Sequence, residues 1–414
     1  MAKPINWKLN IFLMWITQIF VMTGFDAAMP FIPQLLRDNF GMADQAERGV
    51  YVSIFTFAGS FAYAVFCPLW GSLSDRFGVK IMLLRGFFVT CFFYPLMGYA
   101  SEPWILIALR FLTAACAGTT AAANILLVKT VPENRTGFAL GVISTALWGG
   151  SVLGQVLGGI VVDLYGYKVT FWACGILYFI SGVLTLFSSD AHVFKKPSKQ
   201  DTASKKYSFS GNRIFPRFTR GVWVLMMVML FYCFVKRFEI PYISMLIELI
   251  TGPEKAVFWT GIVGAFSSIG AFLSGFIIGY LSDRLKPQTI IVPALVISAI
   301  TLLVQAFSTD LITLTVSRTL LFFFSGSLFP ILQKLLSAAT PQRKRGKVFG
   351  WSTTFNNTGG MLSTIGAGAV VYSFETRGIF VAAAILILIL IPVTLWGIKV
   401  ITRQPFYIAH AGKK

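Results

Sequence analysis

The sequence is short of charge, and of acid most of all. Only 12% of its 414 residues are charged, and 35 lysines and arginines stand against 16 aspartates and glutamates. A soluble domain carries roughly 25% charged residues, so an ordinary water-soluble fold does not fit. Histidine is scarcer still: His192 and His410 are the pair, and no HExxH or metal-spaced His/Cys cluster exists. No metal is expected. No GxxxxGK[ST] cradle is present, and no GxGxxG follows a strand, so neither an ATP-driven machine nor a nucleotide-dependent enzyme is supported. No cofactor is expected. The five cysteines, Cys67, Cys91, Cys116, Cys174 and Cys233, form no CxxC pair and fall inside apolar stretches. They read as small apolar packers, neither disulfide nor metal ligands. With hydrolysis unsupported, the remaining energy source is an ion or substrate gradient.

What is abundant is apolar. Hydrophobic residues make up 56% of the chain, with 40 phenylalanines among them. A hydrocarbon core about 30 Å thick needs roughly 20 apolar residues per helix, and lipid forbids unpaired backbone. A barrel would need alternating segments of about ten residues; these runs are longer and apolar on every face. Helical spans are expected near 9–36, 49–74, 81–100, 104–129, 137–163 and 168–188, then 221–249, 256–281, 289–307, 311–338, 347–372 and 378–398. The first run follows Lys3 and Lys8 like a signal peptide, but it exceeds an apolar signal core of about 7–15 residues and lacks an A-x-A site, so a retained span is expected.

The formal net charge of +19 would suit a nucleic-acid binder, but its distribution argues against one. Bases collect in alternate loops (Arg76, Lys80, Lys129, Arg135, Arg284, Lys286, Arg343, Lys344, Arg345, Lys347) and at both termini. Acids collect in the others, at Asp38, Asp44, Glu47, Glu102, Asp163, Glu248, Glu254, Asp310 and Glu375. The positive-inside rule then places both termini in the cytoplasm. An even number of spans follows, consistent with twelve. Segment 189–220 is polar and rich in lysine and arginine, and reads as a cytoplasmic linker between an N-terminal bundle, 1–188, and a C-terminal bundle, 221–414.

Internal repetition supports that division. Gly71-Ser72-Leu73-Ser74-Asp75-Arg76-Phe77-Gly78-Val79-Lys80 returns in weaker form as Gly279-Tyr280-Leu281-Ser282-Asp283-Arg284-Leu285-Lys286, with Asp75 and Asp283 208 positions apart. Arg110 answers Arg318 and Gly118 answers Gly326 at the same offset. A repeat of half the chain indicates two duplicated halves, and in membrane transporters such duplication places the binding site between them.

Charges inside spans cost a few kcal/mol and are functional candidates by default. They are Asp26, Arg110, Lys236, Arg237, Glu239 and Arg318, four bases against two acids. Asp26 and Arg110 lie at depths that permit a pair; that pair is either a static structural contact or a carboxylate whose protonation depends on Arg110. Lys236 and Glu239 are three apart on one helix face and are expected to pair. Arg237 points elsewhere, free for a ligand. The cationic excess favours an anionic or zwitterionic ligand, unless some of these bases snorkel or bond carbonyls. Tyr232 and Tyr242 flank the charges of span seven and are candidate pocket residues, although aromatics on membrane helices usually just pack. Gly150, Gly154 and Gly158 recur every fourth residue, giving a flat helix face for close backbone contact.

Together these residues resemble the major facilitator superfamily, in particular its drug:proton antiporters. Gly71-x-x-x-Asp75-Arg76-x-Gly78-x-Lys80 is similar to the family's signature between spans two and three; Leu106-x-x-x-Arg110 with Gly118 resembles the span-four motif of proton-coupled members. The glycine-rich fifth span resembles the antiporter motif, with Gln155 in place of the usual proline. The resemblance implies an all-α membrane protein of twelve transmembrane helices in two pseudo-symmetric six-helix bundles. It implies alternating access, with a cytoplasmic gate at Gly71, Asp75, Arg76, Gly78 and Lys80 and a weaker one at Asp283 and Arg284. Proton coupling is assigned to Asp26, Arg110 and Glu239, and substrate contact to Lys236, Arg237, Arg318, Tyr232 and Tyr242. The expected activity is proton-coupled export of small organic molecules by a monomer in lipid, in the bacterial inner membrane. Transport of an anionic metabolite such as a carboxylate siderophore is the alternative; a lipid flippase or non-transporting sensor is another of a different class.

Overall fold

The structure, a computed structural model, describes residues 6–132, 135–189, 218–326, 328–340 and 345–402. Nearly all of the expected linker and both chain ends lie outside the described residues, as do the side chains of Asp75, Arg76 and Asp283. Most of the described residues are helical, and none of them forms a strand. α1 (Trp7–Ala28) passes through a short 3-10 turn at Met29–Phe31 into α2 (Ile32–Phe40). The turn falls where Pro30 and Pro33 remove backbone donors. α3 (Gln45–Phe77), α4 (Val79–Met97), α5 (Pro103–Ala115), α6 (Thr119–Thr130) and α7 (Thr136–Leu186) complete the first half.

The second half repeats this plan. α8 (Arg220–Phe238) meets a 3-10 turn at Ile240–Tyr242 and continues as α9 (Ile243–Thr251), with Pro241 in the role of Pro30. There follow α10 (Pro253–Arg284), α11 (Pro287–Phe307), α12 (Leu311–Gly326), α13 (Leu328–Ala338) and α14 (Arg345–Thr402). Ten stretches among the described residues are long and apolar enough to cross a membrane. Two of them are too long for one crossing. α7 has 51 residues and α14 has 58, or roughly 75–90 Å at 1.5 Å per residue, against a core of about 30 Å. Each folds back once, α7 at Gly166 (φ 78°) and α14 at Glu375 (φ 60°). Counting each as two gives the expected twelve.

Lipid offers no hydrophobic drive between helices, so close packing has to hold them. The glycine stripe supplies it. A Cβ on Gly154 would lie 2.9 Å from Thr23 Cα, and Gly150 and Gly158 face the α1 backbone at Ile19 and Ala27 in the same way. Three glycines at four-residue spacing therefore mesh with three α1 residues at the same spacing. The halves meet along two seams. α7 lies on α10, with Gly159 against Gly261, and α3 lies on α14, with Gly49 against Val371 and Gly368 against Ser53.

Candidate functional site

Span four is broken in its middle. α5 stops at Ala115, Gly118 takes φ 111°, and α6 starts at Thr119. Only glycine adopts that φ without strain. Arg110, Thr113, Ala114 and Ala117 recur on one face above the break, and this face lines a cavity of about 1070 Å³, part of it open to solvent. Val21, Met22 and Phe25 of α1, Gly59 and Tyr63 of α3, and Tyr94 and Tyr178 complete the first half's wall. Arg237 and Asn357 close it from the second half. The cavity thus lies between the halves and is walled by two arginines and no carboxylate.

Arg110 sits 5.3 Å from the Phe25 ring and 5.7 Å from that of Phe55, with its Nε against Gly59. That Nε is buried without a hydrogen-bond partner. The expected pair with Asp26 does not form: among the described residues no ion pair joins them. Phe25, one position earlier on α1, takes the cavity face. Asp26 is turned by about 100° along the helix toward Gly154 and Ser151 of α7. The depth argument was sound, but helix rotation decides contact.

The expected Lys236–Glu239 pair also fails to form. Glu239 lies where α8 gives way to the 3-10 turn, and Arg318 Nη1 donates to its Oε2 from α12. Arg318 also lies 3.4 Å from Gln305 Oε1. The Arg318 guanidinium reaches the Glu239 carboxylate from a facing helix and makes a charge-assisted bond with it. Lys236 stands 5.8 Å from the Tyr232 ring and lines a second, smaller cavity of about 440 Å³ inside the second half, with Tyr232 and Glu239. Tyr232 donates its hydroxyl to the Ser325 carbonyl at 2.6 Å.

Tyr242 lines neither cavity. It is fully buried, and its hydroxyl bonds Ser53 across the halves. It belongs to a seal that the sequence reading missed. Glu248 forms an ion pair with Arg37 at 3.0 Å and accepts from Arg48 at 3.1 Å. Gln34 Nε2 donates to Ser244 and Thr260, Thr376 to Gln45, and Gln155 to Ser268. These polar contacts between halves gather at the end of the bundle carrying Asp38 and Glu248. The opposite end carries Gly71, Gly137, Gly141, Gly275, Gly279 and Gly350; glycines with open space beside them lie at both ends, Gly41, Gly166 and Gly252 among them. Arg37 and Arg48 were the signal available in the sequence, two bases among acidic loops.

The signature motif lies at that opposite end. Gly78 (φ 95°) makes the turn between α3 and α4. Lys80 donates to the carbonyls of Leu186 at 2.6 Å and Ser188 at 2.7 Å, a cation at the C-terminus of α7, where the helix dipole favours it. Arg284 stacks on Tyr280 at 4.4 Å.

A two-half helical membrane bundle with a cavity at the interface and a seal at one end defines a transporter. The family model of the Major Facilitator Superfamily matches residues 14–253 and 225–407, and the chain belongs to that family, a transporter family rather than an enzyme family. Its similarity to multidrug resistance protein MdtG of Rahnella sp. (strain Y9602) is 29% identity, over 97% of this chain and 96% of that protein. Among solved structures, a bacterial homolog of the human lysosomal transporter Spinster, in an inward-facing and occupied conformation, superposes with TM-score 0.74 at 14% identity, covering 96% of this chain and 98% of the other. A D-xylose-proton symporter gives TM-score 0.71 at 15% identity, covering 91% and 96%. At these identities the structures speak for the fold alone.

Proposed function

We propose that this secondary transporter exports small organic molecules carrying an anionic group, driven by protons. The observation that carries the reading is the pairing of Arg110 and Arg237, one from each half, on a single cavity without a lining acid. Two like charges held a cavity apart in a low-dielectric wall attract an anion. An anion bridging both halves changes its contacts when the halves rock, as alternating access requires. Glu239, tied to Arg318, and Asp26, packed against α7, are the carboxylates offered for coupling.

Orientation follows from charge. The basic loops put both termini and the linker 189–220 in the cytoplasm of a bacterial inner membrane, with 1–188 and 221–414 as the moving bundles. The Glu248 seal is then periplasmic, and this conformation is inward-facing. The name of the MdtG relative supports a second reading, export of structurally varied drugs. Uptake into inside-out vesicles separates the two. Under an imposed pH gradient, labelled organic monocarboxylates accumulate, and Arg237→Gln lowers the rate. Accumulation of neutral and cationic drugs, with no carboxylate transport, would replace this reading with the second.

A further inference from the structure

A polar cluster crosses the seam between α7 and α10. Gln155 Nε2 donates to Ser151 Oγ on its own helix at 3.0 Å and, across the seam, to Ser268 Oγ of α10 at 2.9 Å. The two hydroxyl oxygens lie 3.1 Å apart, and both serines are buried. Three polar atoms from two halves thus close a triangle. Space for the amide head comes from α10, where Gln155 Oε1 occupies the position that a Gly264 Cβ would take. Ser151 has a further neighbour. The Asp26 carboxylate of α1 is hydrogen-bonded to its hydroxyl, and Asp26 Cβ lies 3.1 Å from the Cβ position of Gly154.

The hydrogen count fixes what this chain can carry. The Gln155 amide gives one N–H to each serine and fills one acceptor site on each. Each hydroxyl keeps one O–H and one acceptor site. With Asp26 protonated, its O–H fills the free site on Ser151, and the Ser151 O–H fills the free site on Ser268. The Ser268 O–H is left for its own helix backbone. Every group is met and no charge is buried. With Asp26 ionised the chain runs backwards, from Ser268 to Ser151 to the carboxylate. That carboxylate has the Ser151 hydroxyl but no cation, since no ion pair reaches it among the described residues. A buried charge so poorly served is costly, and water entering an opened seam relieves the cost.

The other ionisable groups near Asp26 do not supply the missing cation. Tyr178 and Cys174 face this stretch of α1 from the second leg of α7, Cys174 donating to the Gly24 carbonyl at 2.9 Å. Both types are ordinarily neutral at about pH 7.5 and below. Residues 257–268 of α10 include no ionisable side chain. α6 meets α1 lower down, through Thr120 and Gln18, and Arg110 lies on the cavity side against Phe25.

We propose that Gln155, Ser151 and Ser268 form a proton-dependent latch between the halves, held shut while Asp26 is neutral and released when Asp26 ionises. The inference rests on the coupling role offered above for Asp26 and adds the route by which its proton reaches the other half. A proton bound more tightly in one conformation shifts the population toward it. In proton-driven export the protonated carrier has to return to the inward-facing state. Closure at the Glu248 end is that state in the proposed orientation, and a neutral Asp26 favours it.

The test is hydrogen–deuterium exchange of the full-length protein in detergent, read by mass spectrometry on peptides covering 150–159 and 257–268. Wild type and Asp26→Asn, which is fixed neutral, are compared at about pH 5 and about pH 7.5. Comparison at one pH cancels the intrinsic chemical rate. At the higher pH the variant is expected to exchange several-fold more slowly in both peptides, and at the lower pH the two are expected to match. Gln155→Leu is expected to exchange faster than wild type at both, with no slowing when Asp26→Asn is added. Should Gln155→Leu fold poorly, Gly264→Ala, whose methyl takes the place of Gln155 Oε1, is expected to do the same. Wild type and Asp26→Asn alike at both pH values, or a pH difference that survives in Gln155→Leu, would overturn the latch. Accumulation in inside-out vesicles under a pH gradient separates this from the broader reading. Undiminished accumulation by Gln155→Leu would overturn the latch and leave proton drive standing. The expected exchange pattern with no gradient-driven accumulation by the wild type would overturn proton drive and leave the latch standing.

Discussion

Arg318 reaches from α12 to Glu239 at the end of α8, and the two side chains are only 3% and 4% exposed. The bond ties span ten to the bend of span seven inside one half. Removing one partner leaves the other charge buried and unpaired. Glu239→Ala is therefore expected to lower stability by about 3 kcal/mol or more, read as a fall in thermal melting in detergent. Replacing both, as Glu239→Leu with Arg318→Met, is expected to recover most of the loss, since no orphan charge remains. A double variant as unstable as the single one would mean that the loss comes from packing.

Gly154 and Gly141 make a matched pair. Both lie in α7, but a Cβ on Gly154 meets the Thr23 backbone, whereas one on Gly141 meets nothing within 4 Å. Overpacking costs typically about 1–3 kcal/mol. Alanine in place of an unobstructed helix glycine gains up to about 1 kcal/mol. Gly154→Ala is expected to lower the melting temperature and Gly141→Ala to hold or raise it.

The twelve crossings were legible because lipid makes each span a continuous apolar run. The two fold-backs were legible as well, since Gly166 and Glu375 fall in the short gaps between expected spans. Side-chain partnerships were not. Spacing placed Lys236 and Glu239 on one face, but Arg318 lies 79 positions beyond Glu239 and wins by geometry that no local period contains. Likewise Asp26 and Arg110 share a depth, yet a rotation of one residue put Phe25 on the cavity. Tyr242 was marked as a candidate pocket residue, but it lines neither cavity, and its partner Ser53 sits in the other half. Gly118 was visible as a motif glycine, while the break it creates, and the cavity on that break, depend on a backbone angle.

Glu248 holds both Arg37 and Arg48 from the other half, and the side chain of Arg48 is 1% exposed. Neutralising Glu248 leaves two cations facing one another in the seal. Glu248→Gln is expected to favour opening at this end. The measurement is the reaction of a cysteine introduced at Ser244, buried in the wild type, with an impermeant maleimide added from the side this end faces, the periplasmic one in the proposed orientation. A several-fold faster reaction is expected, and an unchanged rate would show that Tyr242 and Gln34 hold the seal without the ion pairs.

Asp310 caps α12 from outside the spans: its Oδ1 accepts from Thr313 N at 2.8 Å. That bond favours the carboxylate and holds its pKa below the usual value of 3.8. A depressed folded-state pKa contributes stability that is full above the unfolded value and lost as pH falls through the folded one. Asp310→Ala is expected to melt lower than the wild type at pH 7. The gap should narrow below about pH 4 as the wild-type cap protonates. A gap independent of pH would assign the effect to helix propensity instead.

Asp26 offers the sharpest separation of coupling from binding. Its carboxylate faces Ser151 and Gly154 on α7, while the cavity wall is formed by Phe25, so it can be neutralised without altering the surface a ligand meets. α7 also forms a seam with the other half through Gly159 and Gly261. In the proposed proton-driven cycle, protonation at Asp26 acts on a helix that slides when the halves rock. Asp26→Asn is expected to keep ligand-induced thermal stabilisation but to lose accumulation driven by a pH gradient. Exchange of labelled for unlabelled substrate, which needs no net proton movement, should persist. If gradient-driven accumulation survives Asp26→Asn and disappears in Glu239→Gln, the coupling site moves to the Arg318 pair.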